Sequence, residues 1–90
     1  MENRWIVYML RCRDGSLYTG ITNHLEKRME AHRVGKGAKY TRGRGPLELV
    51  YLEECADKSA ALIREAEIKK LPRSRKVQLI DTNKKPEDQT

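Results

Sequence analysis

Trp5-Ile-Val-Tyr-Met-Leu-Arg-Cys12, then Arg13-Asp-Gly-Ser16, then Leu17-Tyr-Thr-Gly-Ile21: this opening decides how the chain folds. The outer two stretches are rich in β-branched and aromatic residues, which fit a pleated and half-buried surface. Asp14-Gly15 between them supplies a turn that tolerates positive φ, so the pair reads as a β-hairpin. Two tyrosines fall on it, Tyr8 in the first strand and Tyr18 in the second. Gly20 follows two residues after Tyr18, and a glycine inside a strand often marks close approach of another group.

Working outward, Thr22-Asn23 opens a helix over about residues 23–34, with Glu26 three residues beyond Asn23 as a variant capping box. Leu25, Met29 and His32 share one face of it, and Gly35 provides the stop. Arg28 and His32 stand four residues apart, so they project from the same side. After Pro46, Leu47-Glu-Leu-Val-Tyr-Leu-Glu53 alternates as a third strand, with Leu47, Leu49 and Tyr51 on one face and Val50 and Leu52 on the other. Asp57 or Ser59 caps a second helix, Lys58 to Leu71, which Pro72 ends. A short third helix runs from Ser74 to Ile80. The order is β-β-α-β-α-α, an α+β chain with a single domain over residues 1–80 and a polar tail over 81–90.

Composition bounds the function. Ninety residues support one small domain, and with 38% apolar residues and no Phe the core is built from Leu, Ile, Val, Tyr and Trp5. A deep enclosed cavity is excluded, and a shallow site on a compact scaffold is not. The apolar run Trp5 to Leu10 is too short for a membrane span or a signal h-region, so a cytoplasmic protein is expected. Cys12 and Cys55 read as small hydrophobes rather than a disulfide in that compartment. A zinc site from Cys12, Cys55, His24 and His32 matches no common ligand spacing.

Nineteen Lys and Arg against thirteen Asp and Glu leave a formal charge of +6. Lys36, Lys39, Arg42 and Arg44 fall within Gly35-Lys-Gly-Ala-Lys-Tyr-Thr-Arg-Gly-Arg-Gly-Pro46, a glycine-rich stretch with no acid in it. Such a loop suits a phosphate backbone, which it would bind with steep salt dependence. Two phenols, a guanidinium, an imidazole and Glu65 of the second helix complete the inventory, and phosphodiester cleavage needs groups of these kinds. Each also has a plainer reading: packing tyrosines, a satisfied core-edge histidine, and surface ion pairs around Glu65 with Arg64, Glu67 and Lys69.

Order and spacing weigh against the plainer reading. Val7-Tyr8, Tyr18-Thr-Gly20, Arg28 and His32 on the next helix and Glu65 on a later one resemble the GIY-YIG nuclease superfamily. Leu17-Tyr-Thr-Gly-Ile-Thr22, Gly35-Lys-Gly-Ala-Lys-Tyr-Thr-Arg42 and Ala61-Leu-Ile-Arg-Glu65 are similar to its small stand-alone bacterial proteins of the YhbQ and YazA type. The resemblance, which runs from Trp5 to Ile80, implies a three-stranded antiparallel sheet flanked by helices. It also implies hydrolysis of a nucleic-acid phosphodiester with one divalent ion, Mg²⁺ or Mn²⁺. Tyr8, Tyr18, Arg28, His32 and Glu65 take the catalytic positions, Arg28 at the phosphate and Glu65 as the sole carboxylate on the metal, with Glu67 as second choice. On this assignment the metal and Arg28 lower the pKa of Tyr8, although the residues leave open whether Tyr8, Tyr18 or His32 acts as base.

Departures from the family pattern are Ile6 and Thr19 within the two triplets, Ile21 where excision-repair relatives carry lysine, and no asparagine after the catalytic helix save Asn83 near the end. Larger relatives attach separate DNA-binding domains, and 90 residues leave no room for one. The leading expectation is therefore a metal-dependent endonuclease on DNA, structure-selective or nonspecific. The runner-up is a non-catalytic DNA- or RNA-binding module working through loop 35–46, and the third is a plain interaction protein. DNA is favoured over RNA as partner, no membrane is involved, and monomer or weak dimer is left open.

Overall fold

The computed structural model describes residues 4–37, 41, 43 and 45–83. The elements are β1 (Trp5–Arg11), β2 (Leu17–Thr22), α1 (Leu25–Arg33), β3 (Glu48–Cys55), α2 (Lys58–Lys69) and α3 (Arg73–Asn83). The strands form one three-stranded antiparallel sheet, as the family resemblance implies, and their order in it is β2-β1-β3.

The hairpin turn closes on the Cys12 N–H to Ser16 carbonyl bond, with Gly15 at φ 87° and the Asp14 carboxylate accepting from the Ser16 N–H. A side chain that bonds its own backbone two residues on stabilises such a turn locally.

Helix α1 starts later than its capping box implies. Its N-cap is His24, without a side-chain cap, and the His24 N–H donates to the Thr22 hydroxyl at 3.0 Å. Asn23 therefore precedes the N-cap, and it and Glu26 are out of register for a reciprocal cap. The other end is as expected: Gly35, at φ 80°, donates to the His32 carbonyl, and Lys36 donates to that of Ala31. This pair of bonds is a Schellman motif, and it needs the left-handed residue that glycine supplies.

The strict alternation read for β3 fails at one point. Met9 pairs with Tyr51 but Leu10 pairs with Leu49, so Val50 is an extra residue and the strand bulges. Leu49 and Tyr51 consequently lie on opposite faces rather than together.

Asp57 caps α2, accepting from the Ala60 N–H at 2.8 Å, a contact typically worth about 1 kcal/mol. This helix stops at Lys69, two residues before the expected Leu71. Pro72 does double duty, since its carbonyl accepts from Arg75 and Lys76 and so opens α3. That helix continues three residues past Ile80 to Asn83, where the Thr82 hydroxyl donates to the Gln78 carbonyl. Residues 84–90 of the expected tail lie outside the described residues.

As the central strand, β1 is covered on both sides, and Ile6 through Leu10 are all buried. Val7 and Met9 pack with Tyr51, Ala61, Ile68 and Ile80, which places α2 and α3 against one face. Tyr8 points the other way, toward α1. Trp5 closes one margin of the core, with the Lys58 ammonium 5.4 Å from its ring centroid. Cys12 is buried and Cys55 half-buried, both as free thiols.

Candidate active site

The face of the sheet under α1 brings four of the expected residues together. Tyr8 lies opposite Gly20 in the β1–β2 register and is fully buried. A Cβ on Gly20 would stand 2.8 Å from the Tyr8 hydroxyl, 2.9 Å from its Cζ and 3.0 Å from Cε2 of Tyr18. Only a glycine leaves that phenol its place. The helical spacing of Arg28 and His32 does the rest: His32 Nε2 is 2.9 Å from the Tyr8 hydroxyl, and Arg28 Nε donates to the same oxygen at 3.4 Å. The Tyr18 ring packs 6.3 Å from Tyr8 and 5.5 Å from His32, centroid to centroid. Tyr18 also acts on both neighbours electrostatically, raising the pKa of Tyr8 and of Arg28. Tyr18 and Arg28 are half-buried, so they form the solvent side of the cluster.

Two residues join the site that the sequence did not single out. Thr41 is 2% exposed and places Oγ1 2.8 Å from His32 Nδ1. Gly37 lies so close that a Cβ there would stand 2.7 Å from His32 Cγ and 2.8 Å from Cε1. Both belong to the stretch read as a cationic phosphate grip, where charge masked the small residues between. The only sequence signal was Gly37 itself, one of several glycines in the stretch, and nothing local distinguishes a glycine that makes room from one that makes a turn.

Burial governs the electrostatics. The Tyr8 hydroxyl is pushed up to about 12 by desolvation, against the opposing pull of its bond from Arg28. Without the ion, one half-buried guanidinium does not offset the loss of water around the phenol, and the lowering expected of the metal and Arg28 together is a property of the loaded site. Arg28 is raised by the same bond. His32 is lowered from its ordinary 6.5, first by burial and then by the Arg28 charge. At neutral pH the core of the site is a neutral phenol bonded to a neutral imidazole.

This arrangement makes stability depend on pH from both sides. Below 6.5 the unfolded chain takes up a proton that buried His32 resists, so stability falls as pH drops through the lowered folded value. Above 10 the unfolded phenol loses a proton that Tyr8 retains to about 12, so stability falls again as pH rises. Urea denaturation between pH 5 and 7 should show a slope in wild type that His32→Asn reduces. Equal slopes would contradict a buried neutral imidazole.

Glu65 stands apart from the cluster. It continues the Ala61 and Ile68 stripe of α2, which packs on the opposite face of the sheet, chiefly against β1 and β2. Its carboxylate pairs with Lys69 at 3.2 Å. Glu67, the second choice, is exposed and pairs with Arg64 at 3.1 Å. Arg64 also reaches Glu53 at 3.0 Å, which ties α2 to β3. Lys36 is exposed at the end of α1, while Lys39, Arg42 and Arg44 lie outside the described residues.

As for a metal, no group of three His, Cys, Asp or Glu gathers among the described residues. That excludes a cage of protein ligands there but suits a hard ion that keeps its waters and takes one carboxylate. Glu65 fits that role in chemistry: an oxygen donor, partly open to solvent, whose partner Lys69 is itself half-exposed.

A small antiparallel sheet whose central and edge strands each carry a tyrosine, facing an Arg–His helix, defines a narrow class of domain. The family model described as the GIY-YIG catalytic domain matches residues 4–78, and the chain belongs to that family. Its relatives include a UPF0213 protein of Oceanobacillus iheyensis, 56% identical over 90% of this chain and 94% of its own length. A UPF0213 protein of Clostridium perfringens is 60% identical over 84% of this chain and 82% of its own. Among solved structures, the solution NMR structure of a UPF0213 protein from Bacillus halodurans is 46% identical, covers 92% of this chain and 88% of that one, and has a TM-score of 0.61. No described helix is long and apolar enough to cross a membrane.

Proposed function

We propose that this protein is a cytoplasmic endonuclease that hydrolyses phosphodiester bonds in DNA, structure-selective or nonspecific, with one Mg²⁺ or Mn²⁺ ion. The observation that carries the reading is the convergence of Tyr8, Tyr18, Arg28 and His32 on one face, together with membership of the GIY-YIG family.

The half-buried pair meets the substrate. Arg28 is held at Nε by Tyr8 and offers its remaining N–H groups to a phosphate, whose growing charge it stabilises. Tyr18 takes the proton of the attacking water and passes its own inward to the Tyr8 oxygen, and Tyr8 passes its proton to His32 Nε2. The new O–P bond displaces the leaving oxygen, which is protonated from solvent. Full burial keeps Tyr8 itself from the water, so on this reading it relays a proton rather than taking one from the water directly. Glu65 would hold the divalent ion, which when bound supplies Lewis-acid stabilisation of the phosphate. Lys36, with Lys39, Arg42 and Arg44, would follow the adjoining backbone.

The decisive comparison is wild type against Glu65→Ala on plasmid, branched DNA and RNA, with Mg²⁺ or Mn²⁺ and with a chelator, scoring binding and cutting separately. Wild type should cut DNA only with metal, and the variant should bind as well and cut at least a hundredfold more slowly. Binding without cutting by either protein on every substrate would replace the enzyme with a nucleic-acid-binding module.

A further inference from the structure

Thr41 lies on the far side of His32 from Tyr8, in a segment whose composition points only to charge. Its Oγ1 is 2.8 Å from His32 Nδ1, while Nε2 is 2.9 Å from the Tyr8 hydroxyl. Thr41 and Tyr8 thus hold the two ring nitrogens at once, and both are buried, at 2% and 0% exposure. Gly37 adds a steric wall, since its backbone runs against the ring where no Cβ fits. The imidazole is fixed in plane, in depth and at both polar atoms.

A neutral imidazole has one N–H and one bare nitrogen, and its partners decide which is which. A phenol is the stronger acid of the two hydroxyls facing the ring, and the Tyr8 oxygen already accepts from Arg28. With Arg28 donating to the Tyr8 oxygen and Tyr8 donating in turn to a bare Nε2, the remaining Nδ1–H pairs with the Thr41 oxygen. We infer that Thr41 is a positioning residue, whose hydroxyl fixes the His32 tautomer with Nε2 bare and aimed at Tyr8.

This inference rests on the proposed nuclease reading only for its catalytic consequence; the tautomer is a property of the resting protein. A hydroxyl suits the place for a further reason. A carboxylate would draw a second proton onto the ring, whereas a neutral partner leaves His32 uncharged beside Arg28, ready to accept. Buried polar pairs of this kind are costly to break from one side, because the group left behind loses both its partner and its water.

The test is the long-range ¹H–¹⁵N spectrum of His32 in the metal-free protein at pH 7, for wild type, Thr41→Val and Thr41→Ser. Wild type should show a protonated Nδ1 and a bare Nε2. Thr41→Val should invert the pattern and Thr41→Ser should restore it. In cleavage assays kcat should fall roughly tenfold in Thr41→Val with KM unchanged, and recover in Thr41→Ser. A wild-type ring protonated at Nε2 overturns the inference, as does an unaltered ring in folded Thr41→Val. Should Thr41→Val not fold, the wild-type spectrum alone decides. If wild type cuts no substrate while the spectra follow expectation, the nuclease reading fails and the assignment of Thr41 stands.

Discussion

Tyr18→Phe should reduce DNA cleavage by about 10²–10⁴-fold, the usual contribution of a positioned general base, while leaving substrate binding and the melting temperature close to wild type. Tyr18 sits on the edge strand and is half-buried, and its ring supplies the packing against Tyr8 and His32. Phenylalanine keeps that ring. Tyr8→Phe should behave differently. It strips a buried partner from His32 Nε2 and from Arg28 Nε together, so it should cost stability, about 1–3 kcal/mol, as well as rate. Single-turnover rates and urea denaturation on both variants separate the roles. If Tyr18→Phe cuts within a few-fold of wild type and Tyr8→Phe does not cut at all, the proton-accepting phenol is the buried one and the site must open to use it.

The distinction between the two tyrosines was invisible in the sequence, for a physical reason. Both lie in strand-forming stretches with similar neighbours, and their chemistry diverges only because β1 is central and β2 is an edge. Strand order depends on where β3 pairs, which no local pattern states. The hairpin, the Arg28–His32 spacing and the Gly35 stop were legible because each rests on local geometry: a turn, a helical period, a left-handed residue. The same locality explains the misreadings. The capping box at Asn23 and Glu26 failed because the helix takes its N-cap one residue later, at His24, and the alternation of β3 was broken by a bulge set through its partner strand. Thr41 and Gly37 are the furthest from legibility, since their meaning comes from folding a basic loop back onto a buried ring.

Glu65 shows how much the fold must do that no motif records. Its helix packs on the face opposite Tyr8, so a site that uses both must straddle β2, the edge strand that α2 also packs against. An edge strand is the one place where groups from two faces of a sheet can meet around a single substrate. The Glu53–Arg64 bond then acquires a meaning beyond stability, because it fixes α2 on the sheet at the residue preceding Glu65.

At that same edge, Gly20→Ala should nearly abolish cleavage while leaving the domain folded. The added methyl would lie 2.8 Å from the Tyr8 hydroxyl and 3.0 Å from the Tyr18 ring, inside van der Waals contact with both. A phenol on the surface would swing aside at little cost. Tyr8 cannot, being buried and tied at its oxygen to His32 and Arg28. Either it withdraws and breaks those bonds, or β2 shifts and carries Tyr18 out of place. Overpacking of this sort costs about 1–3 kcal/mol of stability, which urea denaturation measures. The loss of rate should be larger in proportion, since a displacement near 1 Å in a reacting group can cost about a hundredfold. Backbone amide shifts should change around Tyr8, Tyr18 and His32 and stay fixed across α3, which packs on the other face. Full activity in Gly20→Ala would mean that the close approach of Tyr8 to β2 has no part in catalysis, and that the glycine serves the strand alone.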